Sequence, residues 1–267
     1  MRQAGKELGA GGSERSAHPA VRLFIPCYVD QLAPAVGQAV LGLLKRLEMT
    51  WSYPTAQTCC GQFAYNAGDW SGARGLMRHF LQVFAGPGTI LCPGPACVRM
   101  VRRHYPFLAQ TPDEAAGVDR LAAQLFDLTE ILSARLPLPF PLTWPGRVFL
   151  HQSCAARELG LLPILERLLT GVSGLELCTL PPAYACCGFG GLFAVKQPEL
   201  SQAIGWRYLQ AVLATGAQVL VSPDVGCLLH LGGIVRAHNL PLIMLHLAQF
   251  LEAAARQAEA EGAVTSP

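Results

Sequence analysis

The chain has 267 residues, of which 51% are hydrophobic and 14% charged, and its formal net charge is +2. This composition indicates a globular protein and excludes the strongly basic or acidic balance of a nucleic-acid binder. Residues 1–20 are predicted to form a disordered tail that lacks the apolar core of a secretory signal. No stretch reaches the roughly 18 uncharged apolar residues of a membrane-spanning helix, so we expect no direct membrane insertion.

These features predict a cytoplasmic protein. Thiols stay reduced in that compartment. The ten cysteines are therefore expected to bind metal or to do redox chemistry rather than to form structural disulfides.

The chain alternates predicted strands and helices. Apolar runs and helical spacing predict, in chain order, a strand over 21–25, helices over 36–47 and 72–84, a strand over 89–91 and helices over 98–105 and 112–132. The same order returns as a strand over 147–150, helices over 161–169 and 198–214, a strand over 218–221 and a helix over 228–237, before a last strand and an Ala-rich helix. This alternation is typical of parallel α/β units, which bind ligands at the carboxyl ends of their strands.

The cysteines reveal that the second half repeats the first. Cys154, Cys186 and Cys187 follow Cys27, Cys59 and Cys60 at an offset of 127 residues, and Cys227 follows Cys97 at an offset of 130 residues. We therefore predict two pseudo-symmetric α/β halves with short parallel sheets and with cysteines at the carboxyl ends of strands. The predicted divisions are a first cysteine-rich domain over 21–110, a helix and Pro-rich connector over 111–146, a second cysteine-rich domain over 147–250 and a C-terminal tail over 251–267.

Each half supplies four thiols for one site. Adjacent cysteines such as Cys59 and Cys60 make poor structural disulfides, because two Cα atoms one peptide apart do not fit relaxed bridge geometry. Four thiolates suit an iron–sulfur cluster or structural zinc, and zinc sites usually take ligands two to four residues apart. Adjacent ligands favour the larger iron–sulfur core. A nucleotide-binding loop at Gly188–Gly191 is the weaker alternative, because the dinucleotide fingerprint is incomplete.

A few further residues are candidates near these sites. Cys92 lies five residues before Cys97 and is a candidate reserve ligand, although it and Cys178 also fit the role of small buried hydrophobes. His151 precedes Cys154 and His230 follows Cys227, each by three residues. His230 is a candidate ligand, and packing beside the site is the alternative for both histidines.

The spaced cysteines resemble a known family. Cys27, Cys59-Cys60-Gly61 and Cys97, followed by Cys154, Cys186-Cys187-Gly188 and Cys227, look like the duplicated cysteine-rich (CCG) domain of iron–sulfur proteins. Heterodisulfide reductase, the iron–sulfur subunits of glycolate oxidase and anaerobic glycerol-3-phosphate dehydrogenase, and lactate utilisation proteins carry this domain. The resemblance covers about residues 21–250 and is strongest to the lactate-utilisation branch.

The resemblance implies a function and partners. It implies a non-catalytic or co-catalytic iron–sulfur electron-transfer subunit of an oxidoreductase complex that converts L-lactate to pyruvate, with one or two clusters, of the 4Fe–4S type, held by the eight cysteines. Because this chain has no ferredoxin-like Cys-x-x-Cys-x-x-Cys run, those clusters are expected in a partner similar to lactate utilisation protein B, alongside one similar to protein C.

The sequence departs from the family pattern at two positions, and other functions are alternatives to this expectation. Met100 and His230 stand where the heterodisulfide reductase pattern has a fifth cysteine, which favours a four-thiolate cluster or a degenerate site. The alternatives are a heterodisulfide or thiol–disulfide reductase-type subunit, an iron–sulfur subunit of a glycolate or other 2-hydroxy-acid oxidase, and a structural zinc scaffold.

Overall fold

The computed structural model describes residues 21–180 and 186–265, and the predicted tail over 1–20 lies outside these residues. The first half contains, in chain order, β1 (Val21–Leu23), α1 (Cys27–Leu32), α2 (Pro34–Arg46), β2 (Trp51–Ser52), α3 (Gln62–Ala67), α4 (Trp70–Val83), β3 (Ile90–Cys92), α5 (Pro95–Arg99), a π-helical segment (Met100–His104), α6 (Tyr105–Leu108), α7 (Pro112–Gln124), β4 (Leu125–Asp127) and α8 (Leu128–Ser133).

The second half follows after residues 134–142. It contains β5 (Thr143–Leu150), α9 (Cys154–Glu158), α10 (Leu162–Thr170), β6 (Ser173–Cys178), α11 (Leu192–Lys196), α12 (Pro198–Ala214), β7 (Val219–Ser222), α13 (Val225–Ala237), β8 (Ile243–His246) and α14 (Leu247–Thr265).

Each half is built on a four-stranded parallel sheet. The strand orders are β2-β1-β3-β4 and β6-β5-β7-β8, so the two sheets have the same topology. The two inner strands of each sheet run directly into the segments that carry cysteines, as parallel α/β units require. The prediction of two α/β halves with cysteines at strand ends is confirmed. The strands β2 and β6 were not predicted, because β2 is only two residues long and β6 has a mixed exposure pattern.

The predicted helix over 112–132 is wrong in its middle. The chain leaves α7, adds β4 to the edge of the first sheet beside β3, and only then enters α8. Asp127 marks the change, because its side chain accepts a hydrogen bond from the Thr129 amide and its amide donates to Glu130, each at 2.8 Å. Much of the segment expected as a connector therefore belongs to the first half.

The last helix of each half packs on its own sheet and also against a helix of the other half. α14 of the second half packs against α2 of the first, and α8 of the first half packs against α10 of the second. Phe250 and Leu251 on α14 are fully buried in a core that also contains Leu44 from α2. Arg46 on α2 pairs with the mostly buried Glu252 at 2.9 Å. The region expected as a tail over 251–267 is thus, through residue 265, a helix that completes this core.

Candidate metal centre

The carboxyl ends of the two sheets face one cavity. It has a volume of about 190 Å³ and is lined from both halves. All eight cysteines predicted as ligands line it: Cys27, Cys59, Cys60, Cys97, Cys154, Cys186, Cys187 and Cys227. The two predicted sites therefore open toward each other across the boundary between the halves.

The first cysteine set forms two close sulfur pairs. Cys27 is the first residue of α1 and Cys97 lies in α5, while Cys59 and Cys60 precede α3. The Sγ atoms of Cys27 and Cys59 are 3.8 Å apart, and those of Cys60 and Cys97 are 3.3 Å apart. Cys60 and Cys97 are buried, whereas Cys27 and Cys59 are half-buried toward the cavity. The inner pair is thus shielded and the outer pair accessible.

The second set also has a buried inner pair of sulfurs, but its outer pair is more exposed. The Sγ atoms of Cys187 and Cys227 lie 3.0 Å apart, and both residues are buried. Cys154, the first residue of α9, and Cys186 are exposed on the cavity side. None of the ten cysteines forms a disulfide, so every proposed ligand thiol is free.

Glycines give both vicinal pairs the same turn. Gly61 and Gly188 have φ of +84° and +87°, a region that non-glycine residues rarely adopt. The Gly61 amide donates to Cys59 Sγ and the Gly188 amide donates to Cys186 Sγ, each at 3.3 Å. The turn therefore orients one sulfur of each pair by a backbone hydrogen bond.

Crowding makes the thiols of each set share protons. Hydrogen bonds from Cys27 and Cys60 lower the pKa of Cys59 to about 3, while donation to Cys59 and burial raise the pKa of Cys27. In the second set, donation to Cys187 and burial raise the pKa of Cys186. A cation bound among these sulfurs would lower the pKa values of the thiols, because it stabilises thiolates and releases their protons. The donor set, with four free thiols gathered at each site, fits a thiolate-bound metal or iron–sulfur cluster.

The other candidate residues divide into two groups. Cys92 is fully buried and hydrogen-bonds with Cys97, so a fifth thiol lies behind the first set. Cys178 is buried on β6, away from the cavity lining, with the Thr215 carbonyl 3.9 Å from its sulfur. The ring of His230 packs beside Phe189 at 5.9 Å between centroids and does not line the cavity.

His151 is an imidazole that lies close to the inner thiols of the second set. Its ring nitrogen and the sulfurs of Cys187 and Cys227 lie within 4.8 Å of one another, and all three residues are buried. The sequence pattern favoured His230 instead. The repeat contained a usable signal, because the 127-residue offset places His151 opposite the apolar Phe24.

Comparison with known proteins places this arrangement in a family. The model of the cysteine-rich (CCG) domain matches twice, at residues 21–102 and 148–232. The chain is 36% identical over 235 residues to lactate utilization protein A of Geobacillus kaustophilus, covering 87% of this chain and 98% of that protein. The chain belongs to the lactate utilization protein A family of duplicated cysteine-rich domain proteins.

The family likeness extends over the whole described core. Lactate utilization protein A of an Exiguobacterium strain is 35% identical over 245 residues, covering 90% of this chain and all of that protein. A solved structure of a hypothetical protein from Helicobacter pylori shares the fold with a TM-score of 0.60 at 10% identity. It covers 91% of this chain, which spans about half of that protein. Among the described residues, no helix is long and apolar enough to cross a bilayer.

Proposed function

We propose that the chain is an iron–sulfur electron-transfer subunit of a complex that oxidises L-lactate to pyruvate. The observation that carries this proposal is the meeting of two four-thiol sets at one cavity between the halves. The name of the 35–36% identical relatives, lactate utilization protein A, supports the substrate. An iron–sulfur cluster bound at either set supplies one-electron transfer without proton chemistry of its own.

The chain's residues have three tasks in this function. The inner sulfurs, exemplified by Cys60 and Cys187, are buried and supply ligands at the inner wall of the cavity. The amides of Gly61 and Gly188 donate to the outer sulfurs and favour added negative charge there. The remaining four ligands, Cys27, Cys59, Cys154 and Cys186, are reached from the cavity, which gives electrons a short route to a partner.

The cluster count is tested by removing one inner ligand from each half. We expect anaerobically purified wild type to contain iron and acid-labile sulfide, and Cys60→Ser and Cys187→Ser each to lose about half of both. Cys178→Ser is the matched control, because Cys178 is a buried cysteine outside the cavity, and it should keep the wild-type content. Zinc without iron in the wild type contradicts the proposal and favours a structural scaffold.

The substrate is tested separately. Reduced spectra of the bound clusters should appear when L-lactate is added to the protein mixed with its lactate-oxidising partners, and not when the Cys187→Ser variant replaces it. Reduction by glycolate but not by L-lactate would identify the chain with another 2-hydroxy-acid oxidase. The ferredoxin-type partner and the cytoplasmic location remain predictions of this proposal.

The shared cavity favours one alternative function. Its volume of about 190 Å³ between the two thiol sets has room for a small sulfur compound, as a thiol–disulfide reductase-type subunit requires. A disulfide added to the reduced protein should then alter its paramagnetic resonance spectrum. An unaltered spectrum is evidence for electron transfer alone.

A further inference from the structure

A buried imidazole lies behind the second cysteine set. His151 follows the last residue of β5, and its backbone amide donates to the Val221 carbonyl at 2.8 Å. Only 1% of the residue is exposed. One of its ring nitrogens lies within 4.8 Å of the sulfurs of Cys187 and Cys227. The side chain is thus held against the shielded inner pair of the second set.

Tyr208 on α12 fixes which ring nitrogen carries hydrogen. Its hydroxyl oxygen lies 2.5 Å from Nδ1 of His151, and the two rings meet edge to face. In the described part of the chain, the hydroxyl of Tyr208, itself 3% exposed, has no second hydrogen-bond partner. Once Cys187 and Cys227 are thiolate ligands, their sulfurs can only accept hydrogen bonds, so the Tyr208 O–H and the imidazole N–H both find partners only if the O–H donates to Nδ1. The hydrogen of the neutral imidazole therefore lies on Nε2.

Nε2 of His151 has no hydrogen-bond partner among the described residues, sulfur included, although it is fully buried. An unpaired N–H in the interior is costly, and Nε2 is the ring nitrogen that Tyr208 leaves free. The sulfurs of Cys187 and Cys227 lie within 4.8 Å of a ring nitrogen of His151 and are its candidate acceptors. Thiolate sulfur is a stronger acceptor than thiol sulfur, because a charged partner strengthens the hydrogen bond. The bond is thus strongest when these cysteines act as ligands.

The first half has an apolar residue at the same place. The Phe24 amide donates to the Leu91 carbonyl at 2.9 Å, just as the His151 amide donates to Val221. The backbones of Phe24 and His151 are therefore equivalent, as the 127-residue offset predicts. A side chain without any donor lies behind the first set.

The neighbouring ring is also apolar in the first half. Phe24 packs edge to face on Phe80 of α4 at 4.6 Å, in the manner of His151 on Tyr208 at 5.2 Å. The second half thus has a polar pair where the first has an apolar pair. Reduction adds negative charge to cluster and ligand sulfurs, so the imidazole N–H at the second site and the weaker S–H donor of Cys92 at the first give the two sites different potentials.

We propose that His151 donates a hydrogen bond from Nε2 to the inner sulfurs of the second cysteine set and makes the group bound there the more easily reduced of the two. This inference rests on the proposed iron–sulfur function. His151 acts through Cys187 and Cys227 and is a positioning residue rather than a ligand.

The test is an anaerobic redox titration followed by paramagnetic resonance. Wild type should show two potentials, and Cys187→Ser should remove the higher one. In His151→Phe, which copies the first half, the ratio of reduced to oxidised second cluster at a fixed applied potential should fall about tenfold, the size expected for one hydrogen bond to a charged acceptor. His151→Gln, whose amide nitrogen can replace Nε2, should restore most of the ratio.

Two controls separate this role from packing and from ligation. His230→Phe removes a different imidazole of this half, one that packs on Phe189 outside the cavity, and should leave both potentials unchanged. Tyr208→Phe keeps the aromatic ring but removes the hydroxyl that fixes the tautomer of His151. The ratio of reduced to oxidised second cluster should then fall less than in His151→Phe. If His151→Phe and His151→Gln both lose half of the iron, His151 is a ligand and the inference is overturned.

The failure of the inference is distinguishable from that of the proposed function. Wild type with iron in both sets, and with the two potentials unmoved by His151→Phe, overturns the inference alone. Wild type without iron overturns both. The variants' thermal unfolding midpoints, measured alongside, show whether a fall reflects the hydrogen bond or a loosened core.

Discussion

The two halves share a backbone plan but surround their thiols differently. In the first half Cys92 and Phe24 lie behind the inner sulfurs, whereas in the second Ser222 and His151 occupy the equivalent places at offsets of 130 and 127 residues. The outer thiols also differ, since those of the first set are half-buried and those of the second exposed. The duplication thus kept the ligand positions while the residues around them diverged.

This difference shows which features the sites require in common. The vicinal cysteines and the left-handed glycine after them occur in both halves with nearly equal φ and equal amide-to-sulfur distances. These features set the shape of a site. The residues behind the sulfurs set its electrostatics, and there the halves are free to differ.

The largest expected difference between the halves concerns α14 and α8, the helices that pack across the boundary between them. Phe250→Ala on α14 should destabilise the protein by about 3–5 kcal/mol, and Leu132→Ala on α8 by about 2–3 kcal/mol. Both residues are fully buried, but α14 contributes a longer buried face than α8. Urea unfolding of both variants measures the difference. Equal losses of unfolding free energy would mean that α14 and α8 contribute equally to the contact between the halves.

The glycine turns should respond unequally to an added methyl group. A Cβ on Gly188 would lie 2.6 Å from the Ser201 carbonyl oxygen, whereas a Cβ on Gly61 would meet Leu76 at 3.3 Å. Gly188→Ala should cost about 2–3 kcal/mol and Gly61→Ala about 1 kcal/mol, since both are strained by positive φ but only the first clashes with backbone. Thermal unfolding midpoints would show the order, and a reversed order contradicts the comparison.

Opposite pH dependences are expected at two equivalent buried positions. Asp127 pairs in register with Cys92, and His246 pairs with Ser222. Burial raises the pKa of Asp127 to about 7 and lowers the pKa of His246 to about 4. Between pH 4 and 6.5 the folded state therefore holds the extra proton at Asp127, and the unfolded state holds it at His246. Raising the pH therefore lowers the stability of the folded protein through Asp127 and increases it through His246.

Single substitutions should separate the two effects. Asp127→Asn should make stability rise more steeply with pH, and His246→Gln should make it rise less or fall, each by at most about 1.4 kcal/mol per pH unit for one proton. Urea midpoints at pH 4.5, 5.5 and 6.5 give the slopes. Slopes parallel to that of the wild type in both variants would refute the assignment.

The smallest effect is expected at an ion pair between the halves. Arg99 on α5 and Glu158 on α9 are 2.9 Å apart, and the glutamate side chain is 54% exposed. Glu158→Gln should cost less than about 1 kcal/mol, because water screens the charge. The loss should shrink further in 0.5 M salt, and a larger loss would show that this contact fixes the halves to each other.

The sequence was sufficient to predict the thiols and the duplication, because chemistry and spacing are local properties of the chain. It also predicted the buried inner strands, whose apolar runs are distinct. It missed β4, since Leu125, Phe126 and Asp127 continue an apolar and polar pattern that also fits a helix. Only pairing with β3 makes these residues a strand, and that pairing is a tertiary property.

The role of His151 and the packing of α14 on α2 depend on contacts between residues that are far apart in the sequence. His151 and Tyr208 are 57 residues apart, and Arg46 and Glu252 are 206 residues apart. Periodicity within a helix shows that it has an apolar face but not which element covers that face. Position-by-position differences between the two repeats carry information that periodicity lacks, because they mark where polarity changed.

The packing of α14 on α2 has a consequence for synthesis of the chain. α14 leaves the ribosome after every other described element, yet it covers α2, which is among the first to emerge. The part of the α2 surface that α14 covers stays exposed while about 200 residues are added, roughly 10–40 s at ordinary elongation rates. The nascent first half therefore has a period of exposure in which a chaperone or early cluster insertion would protect it.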